Sequence, residues 1–345
     1  MNMPHLTRCL SVLLFIMLPF TLSPTTFAHV APKQAGQITE YSLPNGSGPW
    51  GITKGSDGNL WFTEQVGQKI GKITTQGNIT EYPVSVCCPI SVTTGPNGRM
   101  WFTVSYDNGD VDTSYIGKST LQGKTTLYPI YSQDYHHLWG LTMGPDHNIW
   151  FTVYDNEGEE DWTDYVGKIT PKGKVTLTYV GTFVFPMYIT TGPDGNVWFT
   201  ERGALSHAIV QLNPYTLKMT SYGFNGVPED ITTGPDGNLW FTDLLAGNIV
   251  EFNLATRQFI KYAVPTPNSR PWGITAGPDG NVWFTEYAGN KIGRISPKAT
   301  TINSTLTEFP IPTSNAYPAE ITADPDGNVW FTESGGNKIG KITTG

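Results

Sequence analysis

Residues 273–295 read Gly-Ile-Thr-Ala-Gly-Pro-Asp-Gly-Asn-Val-Trp-Phe-Thr-Glu-Tyr-Ala-Gly-Asn-Lys-Ile-Gly-Arg-Ile, and this segment sets the architecture of the whole chain. Its Trp-Phe-Thr element occurs seven times in 345 residues, at intervals of 40 to 49 residues. The copies begin at Trp61, Trp101, Trp150, Trp198, Trp240, Trp283 and Trp330. A period of this length indicates one supersecondary unit stacked against copies of itself.

Each copy contains four short β-type runs joined by turns. In the first copy the runs are residues 51–53, 60–64, 69–73 and 79–83. The turns carry Asp-Gly or Gly-Asn pairs, which tolerate positive φ. Four strands in a unit of this size form a propeller blade. The sequence therefore predicts an all-β fold: a seven-bladed β-propeller with four antiparallel strands per blade, over residues 29–345 as a single domain.

The two ends of the chain are predicted to meet in one blade. The seventh copy reaches residue 345 after only three strands, whereas residues 38–44 match the fourth-strand pattern of residues 79–83. We expect this N-terminal strand to complete the last blade and close the ring. Closure removes the sheet edges that would otherwise promote aggregation.

The composition supports this fold and excludes several classes of protein. The chain has 38 glycines and 26 prolines, 12% aromatic residues and only 14% charged residues. A disordered chain would be poor in aromatics and rich in charge, and a coiled coil would have few turn formers. The net charge of −8 argues against nucleic acid as a partner, because phosphate binding needs a basic face.

Residues 1–28 have the pattern of a secretory signal peptide. Arg8 precedes an apolar run at residues 9–20, and Thr26 and Ala28 place small residues before a cleavage site. An uncleaved membrane anchor is the alternative, although the run is short for a bilayer span. We expect a secreted or extracytoplasmic protein with no membrane contact after cleavage. In such a compartment the adjacent cysteines form either a vicinal disulfide or two free thiols; they are Cys87 and Cys88.

The antiparallel order assigns the loops to two faces. If the strands are named A to D from the centre outward, the A–B and C–D turns share one face, and the B–C loops and D–A connections share the other. On the second face one repeat position is Trp50, Ile90, Trp139, Met187, Glu229, Trp272 or Ala319 in successive blades. The aromatic members either stack on a ligand or plug the channel. The predicted ligand-binding residues are Trp50, Trp139, Trp272, Glu229 and Asp230.

Two enlarged B–C loops on the same face are acidic. They occupy residues 107–112 and 155–164. The candidate metal ligands are Asp107, Asp110, Asp112 and, at the end of a B strand, Glu201. Carboxylate oxygens suit Mg²⁺ or Ca²⁺, but a solvated acidic edge without metal is the alternative.

Other acidic residues at B-strand ends have a basic residue across the next hairpin. The pairs are Glu64 with Lys69, Glu286 with Lys291, and Glu333 with Lys338. We expect cross-strand ion pairs at these positions rather than catalytic groups. The histidines that can reach this face are His136, His137 and His207, which are either candidate general bases or ordinary surface residues.

The repeats at residues 273–286 and 289–295 resemble those of the virginiamycin B lyase, or streptogramin lyase, family. The resemblance covers about residues 37–345. It implies a seven-bladed propeller that opens cyclic streptogramin B antibiotics by Mg²⁺-dependent elimination of a carbon–oxygen bond. The catalytic histidines of the family follow proline, and in this chain those dipeptides are Pro271-Trp272 and Pro318-Ala319. The acidic positions of the family correspond to Ala316 or Tyr317 and to about Ser334.

Two hypotheses follow. In the first, the chain is an exported streptogramin-lyase-like propeller that binds a small molecule, peptide or carbohydrate as a monomer, without a required cofactor. In the second, it is a lyase or a lactone or ester hydrolase with relocated groups. A histidine among His136, His137 and His207 would then act as the base, and Glu201, Glu229 or Asp230 would hold Mg²⁺ or Ca²⁺.

Overall fold

The computed structural model describes residues 34–105, 114–130, 136–155, 163–203, 207–297 and 306–345. Residues Lys33–Gly345 form one compact unit. Seven four-stranded antiparallel sheets are arranged around a central channel, and in each blade the A strand lies innermost. The predicted seven-bladed all-β propeller is confirmed. The proposed signal segment, residues 1–28, lies outside the described residues.

The first four blades each run from strand A at the channel to strand D at the rim. Blade 1 has β2 (Pro49–Lys54), β3 (Leu60–Glu64), β4 (Lys69–Ile73) and β5 (Ile79–Pro83). Blade 2 has β6 (Pro89–Thr94), β7 (Met100–Val104), β8 (Ser114–Ser119) and β9 (Thr125–Ile130), with a 3-10 turn at Pro96–Gly98. Blade 3 has β10 (His136–Met143), β11 (Ile149–Asp155), β12 (Thr163–Ile169) and β13 (Val175–Thr182). Blade 4 has β14 (Pro186–Thr191), β15 (Val197–Arg202), β16 (His207–Leu212) and β17 (Met219–Gly223).

The remaining blades follow the same order. Blade 5 has β18 (Pro228–Thr233), β19 (Leu239–Asp243), β20 (Asn248–Asn253) and β21 (Gln258–Ala263). Blade 6 has β22 (Pro271–Ala276), β23 (Val282–Glu286), β24 (Lys291–Ile295) and β25 (Thr307–Pro310). Blade 7 has β26 (Pro318–Ala323), β27 (Asn328–Glu333), β28 (Lys338–Thr343) and, as its D strand, β1 (Ile38–Ser42).

The ring is closed by the N-terminal strand, as predicted. Strand β1 pairs antiparallel with β28, with Ile38 opposite Ile342 and Tyr41 opposite Ile339. The ring of Tyr41 stacks on Trp330 at 5.4 Å between centroids. One blade is therefore built from both ends of the chain, and the outer edge of β28 is paired.

The Trp-Phe-Thr motifs form the core between the blades. All seven tryptophans and the phenylalanines that follow them are fully buried. In blade 6 the Trp283 Nε1–H donates to Asp279 at 3.0 Å, Phe309 stacks on one side of the indole, and the Arg294 guanidinium lies 5.4 Å from the ring centroid. Burying each such ring contributes about 2–3 kcal/mol. The motif is therefore structural.

The threonine of each motif joins its blade to the next. In blade 1 the Thr63 hydroxyl accepts the Gly51 N–H at 2.8 Å and donates to the Ile90 carbonyl of blade 2 at 2.6 Å. Equivalent bonds to the next blade are made by Thr103, Thr152, Thr200, Thr242, Thr285 and Thr332. A continuous ring of hydroxyl bridges therefore fixes the start of every A strand.

The ion pairs predicted at the B-strand ends are only partly correct. Lys69 lies 3.9 Å from Glu64 but 2.9 Å from Glu81, a residue of the D strand. The lysine of blade 6, Lys291, pairs with Glu308 at 2.7 Å, and that of blade 7, Lys338, pairs with Glu40 at 2.9 Å. The D-strand carboxylates are 16% to 21% exposed, so binding the lysine there costs less desolvation than binding it to a fully buried B-strand carboxylate.

Candidate functional site

Every blade carries a β-bulge at the start of strand A. In blade 1 the register passes from Pro49–Glu64 to Ile52–Phe62, so strand A has one residue more than strand B. The same shift occurs in the other six blades. A bulge turns its side chains out of the regular alternation. We call the bulged pairs the bulge ring: Trp50-Gly51, Ile90-Ser91, Trp139-Gly140, Met187-Tyr188, Glu229-Asp230, Trp272-Gly273 and Ala319-Glu320.

The three tryptophans of the bulge ring pack on one another. The ring of Trp50 in blade 1 lies 6.3 Å from Trp139 in blade 3 and 5.6 Å from Trp272 in blade 6, in edge-to-face geometry. Because these blades are not neighbours, the side chains must converge over the channel axis. The Trp272 Nε1–H donates to the Tyr188 hydroxyl at 2.8 Å. These side chains therefore contact one another over the channel, and the ligand-binding role predicted for them stays a prediction.

Two tyrosines that the sequence reasoning missed extend this cluster outward. Tyr287 lies 5.3 Å from Trp272 and 5.3 Å from Tyr317, measured between ring centroids. Tyr317 is 41% exposed. We call Trp50, Trp139, Trp272, Tyr287 and Tyr317 the aromatic platform. The only signal in the sequence was that both tyrosines lie in loops of the predicted face.

Glu229 is buried and forms an ion pair. Its side chain is fully buried, and one carboxylate oxygen binds the Arg202 guanidinium. Burial raises the pKa of Glu229 to about 7, and Arg202 opposes that shift. The other oxygen, Oε1, has no hydrogen-bond partner among the described residues. Glu229 therefore lies beneath the surface on which the sequence placed it.

Asp230 lies deeper, on a channel cavity of about 190 Å³. Its two carboxylate oxygens accept the backbone N–H groups of Ile231 at 2.8 Å and Ile274 at 2.7 Å, which ties blade 5 to blade 6. Tyr188 and Glu320 also line this cavity and are hydrogen-bonded to each other. Burial raises the pKa of Glu320 to about 7 and that of Asp230 well above its usual range. Sequence reasoning missed Tyr188 and Glu320, because only the bulge turns them inward.

The candidate histidines lie at the rim of this face. The Nδ1 atom of His137 is 3.2 Å from the Ser105 hydroxyl, and its ring stacks on Tyr154 at 5.2 Å. His207 begins β16 opposite Arg202. His136 begins β10 opposite Asp155, and its side chain is outside the described part of the structure. None of the bulge-ring positions is a histidine.

Of the candidate metal ligands, Glu201 lies within the described residues. Asp107, Asp110 and Asp112 lie outside the described residues. Glu201 is buried, and burial together with the charge of Asp164 raises its pKa to about 7. Within the described ranges, no group of three His, Cys, Asp or Glu side chains is close enough to hold a metal ion.

The positions at which the resemblance places the acidic residues of the family do not fit Mg²⁺ in this chain. Ala316 offers no ligand, and Tyr317 offers a phenol within the aromatic platform rather than a carboxylate. The Ser334 hydroxyl donates to the Tyr317 carbonyl at 2.8 Å. Mg²⁺ sites in proteins use carboxylates, and these positions supply none.

Cys87 and Cys88 are joined by a disulfide bond, one of the two states that the sequence left open. They lie in the D–A connection that leads into β6. The Ser105 N–H donates to the Cys88 carbonyl at 3.3 Å. The disulfide therefore lies on the same face as the bulge ring, next to the Ser105–His137 contact.

The chain is similar to known families and structures along most of its length. The model of the virginiamycin B lyase family matches residues 29–134 and 206–345. A streptogramin B lyase structure is 33% identical, covers 90% of this chain and 98% of its own, and superposes with a TM-score of 0.75. A virginiamycin B lyase from Bacillus licheniformis is 50% identical over 44 residues, which are 12% of this chain and 15% of that protein.

A further similar structure includes a bound compound. A catalytically inactive virginiamycin B lyase from Staphylococcus aureus, solved with quinupristin, is 31% identical, covers 89% of this chain and 99% of its own, and has a TM-score of 0.76. The family model spans more than half of the chain, and the solved relatives match along almost their full length. The chain is therefore a member of the virginiamycin B lyase family.

Proposed function

We propose that this protein is an exported binding propeller that holds a ring-containing small molecule or cyclic peptide on its aromatic platform, without opening it. The aromatic platform carries the proposal. It joins Trp50, Trp272, Tyr287 and Tyr317 by ring contacts of 5.3 to 6.5 Å, and its outer member is exposed. Flat, rigid side chains with a polar edge are well suited to stack on rings of a ligand.

Other exposed side chains on the face of the platform are also apolar. Val66 and Leu245, in B–C turns of that face, are 67% and 65% exposed. An apolar surface of this kind suits a ligand with apolar groups. The carboxyl groups of Glu229 and Asp230 are buried, so they are not part of the exposed surface of this face.

The residues at two positions support the proposal that this chain does not catalyse the elimination reaction of its family. The resemblance places the family histidines at Trp272 and Ala319. An indole N–H has no basic lone pair and a methyl group has no titratable atom, so neither can remove a proton from carbon at neutral pH. The Trp272 Nε1–H is in addition already hydrogen-bonded to the Tyr188 hydroxyl.

Export is proposed from residues 1–28, whose charged start, apolar run and small residues fit a signal peptide. The helices of the described residues include none long and apolar enough to cross a membrane.

A hydrolase is the second candidate, and one contact favours it. The Ser105 hydroxyl lies 3.2 Å from His137 Nδ1, a distance at which imidazole can take a hydroxyl proton. Attack of that oxygen on an ester carbonyl would form an acyl-enzyme and expel the alcohol, which takes the proton from the His137 imidazole. Water, deprotonated by the same imidazole, would then cleave the acyl-enzyme, releasing the acid and restoring the Ser105 hydroxyl. Ester cleavage that is lost in His137→Ala would favour this candidate.

The binding proposal is tested with quinupristin, the compound present in the S. aureus structure. We expect saturable quenching of tryptophan fluorescence. Tyr317→Ala should weaken binding at least about tenfold, since a stacked aromatic pair adds about 0.5–1.5 kcal/mol to the area it buries.

Tyr215→Ala is the matched control. Tyr215 is an exposed tyrosine of the C–D turn on the opposite face, so its loss should leave the affinity unchanged. Equal effects of the two substitutions, or no quenching of the wild type, would contradict the proposal.

A further inference from the structure

Blade 2 departs from the other blades in its A–B turn, on the face opposite the aromatic platform. In five blades an aspartate of this turn accepts the Nε1–H of the motif tryptophan at 2.9 to 3.1 Å. These aspartates are Asp57, Asp146, Asp194, Asp236 and Asp279. In blade 7 the neighbouring Asp324 accepts it instead, at 2.6 Å. The turn thus supplies a carboxylate beneath the indole in every blade except blade 2.

The same carboxylate neutralises a basic residue of strand C. Lys72 lies 3.8 Å from Asp57, Lys168 lies 3.5 Å from Asp146, and in blade 6 the Arg294–Asp279 distance is 3.8 Å. Each basic residue faces the motif tryptophan in the strand register. The turn aspartate therefore acts both as an acceptor and as a counter-charge.

Blade 2 keeps the basic residue but lacks the acid. Lys118 faces Trp101 in the equivalent register and lies 5.0 Å from its ring. The aspartate is replaced by Asn97, and the Trp101 Nε1–H is buried without a partner among the described residues. Two residues later, Arg99 stands where the other six blades have asparagine. Two independent changes in one turn therefore both raise the local charge.

These residues line a surface pocket of about 580 Å³. Arg99, Lys118 and Lys124 provide its charge, and Thr120, Thr126 and Tyr128 add hydroxyl groups. None of the described residues that line it is a carboxylate. Burial lowers the pKa of Lys118, and the nearby charge of Arg99 lowers it further. In a chain of net charge −8, these three cations, which form no ion pair with the described residues, make up a basic site.

We propose that this pocket binds an oxyanion, a phosphate or sulfate group that is free or carried by a small ligand. Arg99 offers a planar fork of N–H donors, and the two lysines offer ammonium donors. The threonine and tyrosine hydroxyls supply further hydrogen bonds. The bound anion takes the place of the aspartate carboxylate that the other blades carry.

Inorganic phosphate and sulfate are the probes, with chloride at matched ionic strength as the reference. We expect both oxyanions to raise the melting temperature saturably and to compete with each other, because a ligand that binds the folded state stabilises it. Asn97→Asp combined with Arg99→Asn restores the pattern of the other blades. It should weaken phosphate binding at least about tenfold, since a hydrogen bond to a charged group contributes about 1.5 kcal/mol or more.

The double variant should fold at least as well as the wild type, because the new carboxylate can accept the Trp101 N–H and pair with Lys118. Lys124→Asn gives a second variant. Its matched control is Lys174→Asn, which removes the same charge from the equivalent turn of blade 3, where Asp146 is present. We expect weaker binding in the first and unchanged binding in the second. No effect of phosphate beyond that of chloride, or wild-type affinity in the double variant, would overturn the proposal.

Discussion

Three buried glutamates show how single residues are constrained by the blades around them. Glu64, Glu286 and Glu333 are fully buried, and neither carboxylate oxygen has a hydrogen-bond donor among the described residues. Each faces a second carboxylate, on strand D, that is already bound by a lysine. Burial, followed by that like charge, raises the pKa of Glu286 and Glu333 to about 8. Both are therefore largely protonated at neutral pH.

These shifts predict a pH dependence of stability. The pKa is near 4.5 in the unfolded chain and about 8 in the folded one, so the stabilisation is complete below the unfolded value. It is lost progressively as the pH rises from about 4.5 to about 8, by about 1.4 kcal/mol per pH unit for each group, and the loss is complete above about 8. Glu286→Gln with Glu333→Gln should remove this loss, because the amide imitates the protonated acid.

Urea unfolding at about pH 5, 7 and 9 measures the effect, and Asp326→Asn, an exposed carboxylate, is the control. A wild-type stability that does not fall between neutral and alkaline pH would refute the assignment.

At the scale of elements, the threonine bridges couple neighbouring blades. Thr285 accepts the Gly273 N–H at 2.9 Å and donates to the Ala319 carbonyl of the next blade at 2.7 Å. Thr285→Val keeps the shape but leaves both backbone groups buried and unpaired, which should cost about 2–4 kcal/mol. Thr285→Ser keeps the hydroxyl and should cost less. Chemical denaturation measures both, and equal losses would show that packing of the methyl group, not the bridge, stabilises this interface.

The strands of the propeller could be predicted from the sequence, whereas the bulges within them could not. The period of the Trp-Phe-Thr motif predicted the blades, and the match between residues 38–44 and the other fourth strands predicted the pairing of β1 with β28. The bulges carry no such signal. Because of the bulges, the side chains of Glu320 and Tyr188 point into the channel. The sequence does not predict a bulge, since a register shift of one residue depends on packing rather than on local propensity. The choice of Glu308 over Glu286 by Lys291 likewise depends on relative burial in the folded sheet.

Across the complete ring, the propeller gives its two faces different chemistry. One face gathers the bulge ring, the aromatic platform and the disulfide. On the other face the A–B turns of six blades place a carboxylate at the motif tryptophan, whereas blade 2 carries the basic site. The scaffold of the virginiamycin B lyase family is preserved along the chain. The positions assigned to its histidines, Trp272 and Ala319, instead contribute an indole and a methyl group.

Binding of a cyclic ligand without opening it is tested most sharply by the covalent state of quinupristin after incubation with the protein. Elimination opens the ring without changing the mass and hydrolysis adds one water, so retention time and fragmentation are followed together with mass. The reaction is run with Mg²⁺ and with EDTA. We expect quinupristin to be recovered intact in both cases while its binding saturates. A linear product that accumulates with protein concentration, and that depends on Mg²⁺ or on His137, would show that the platform serves an enzyme instead.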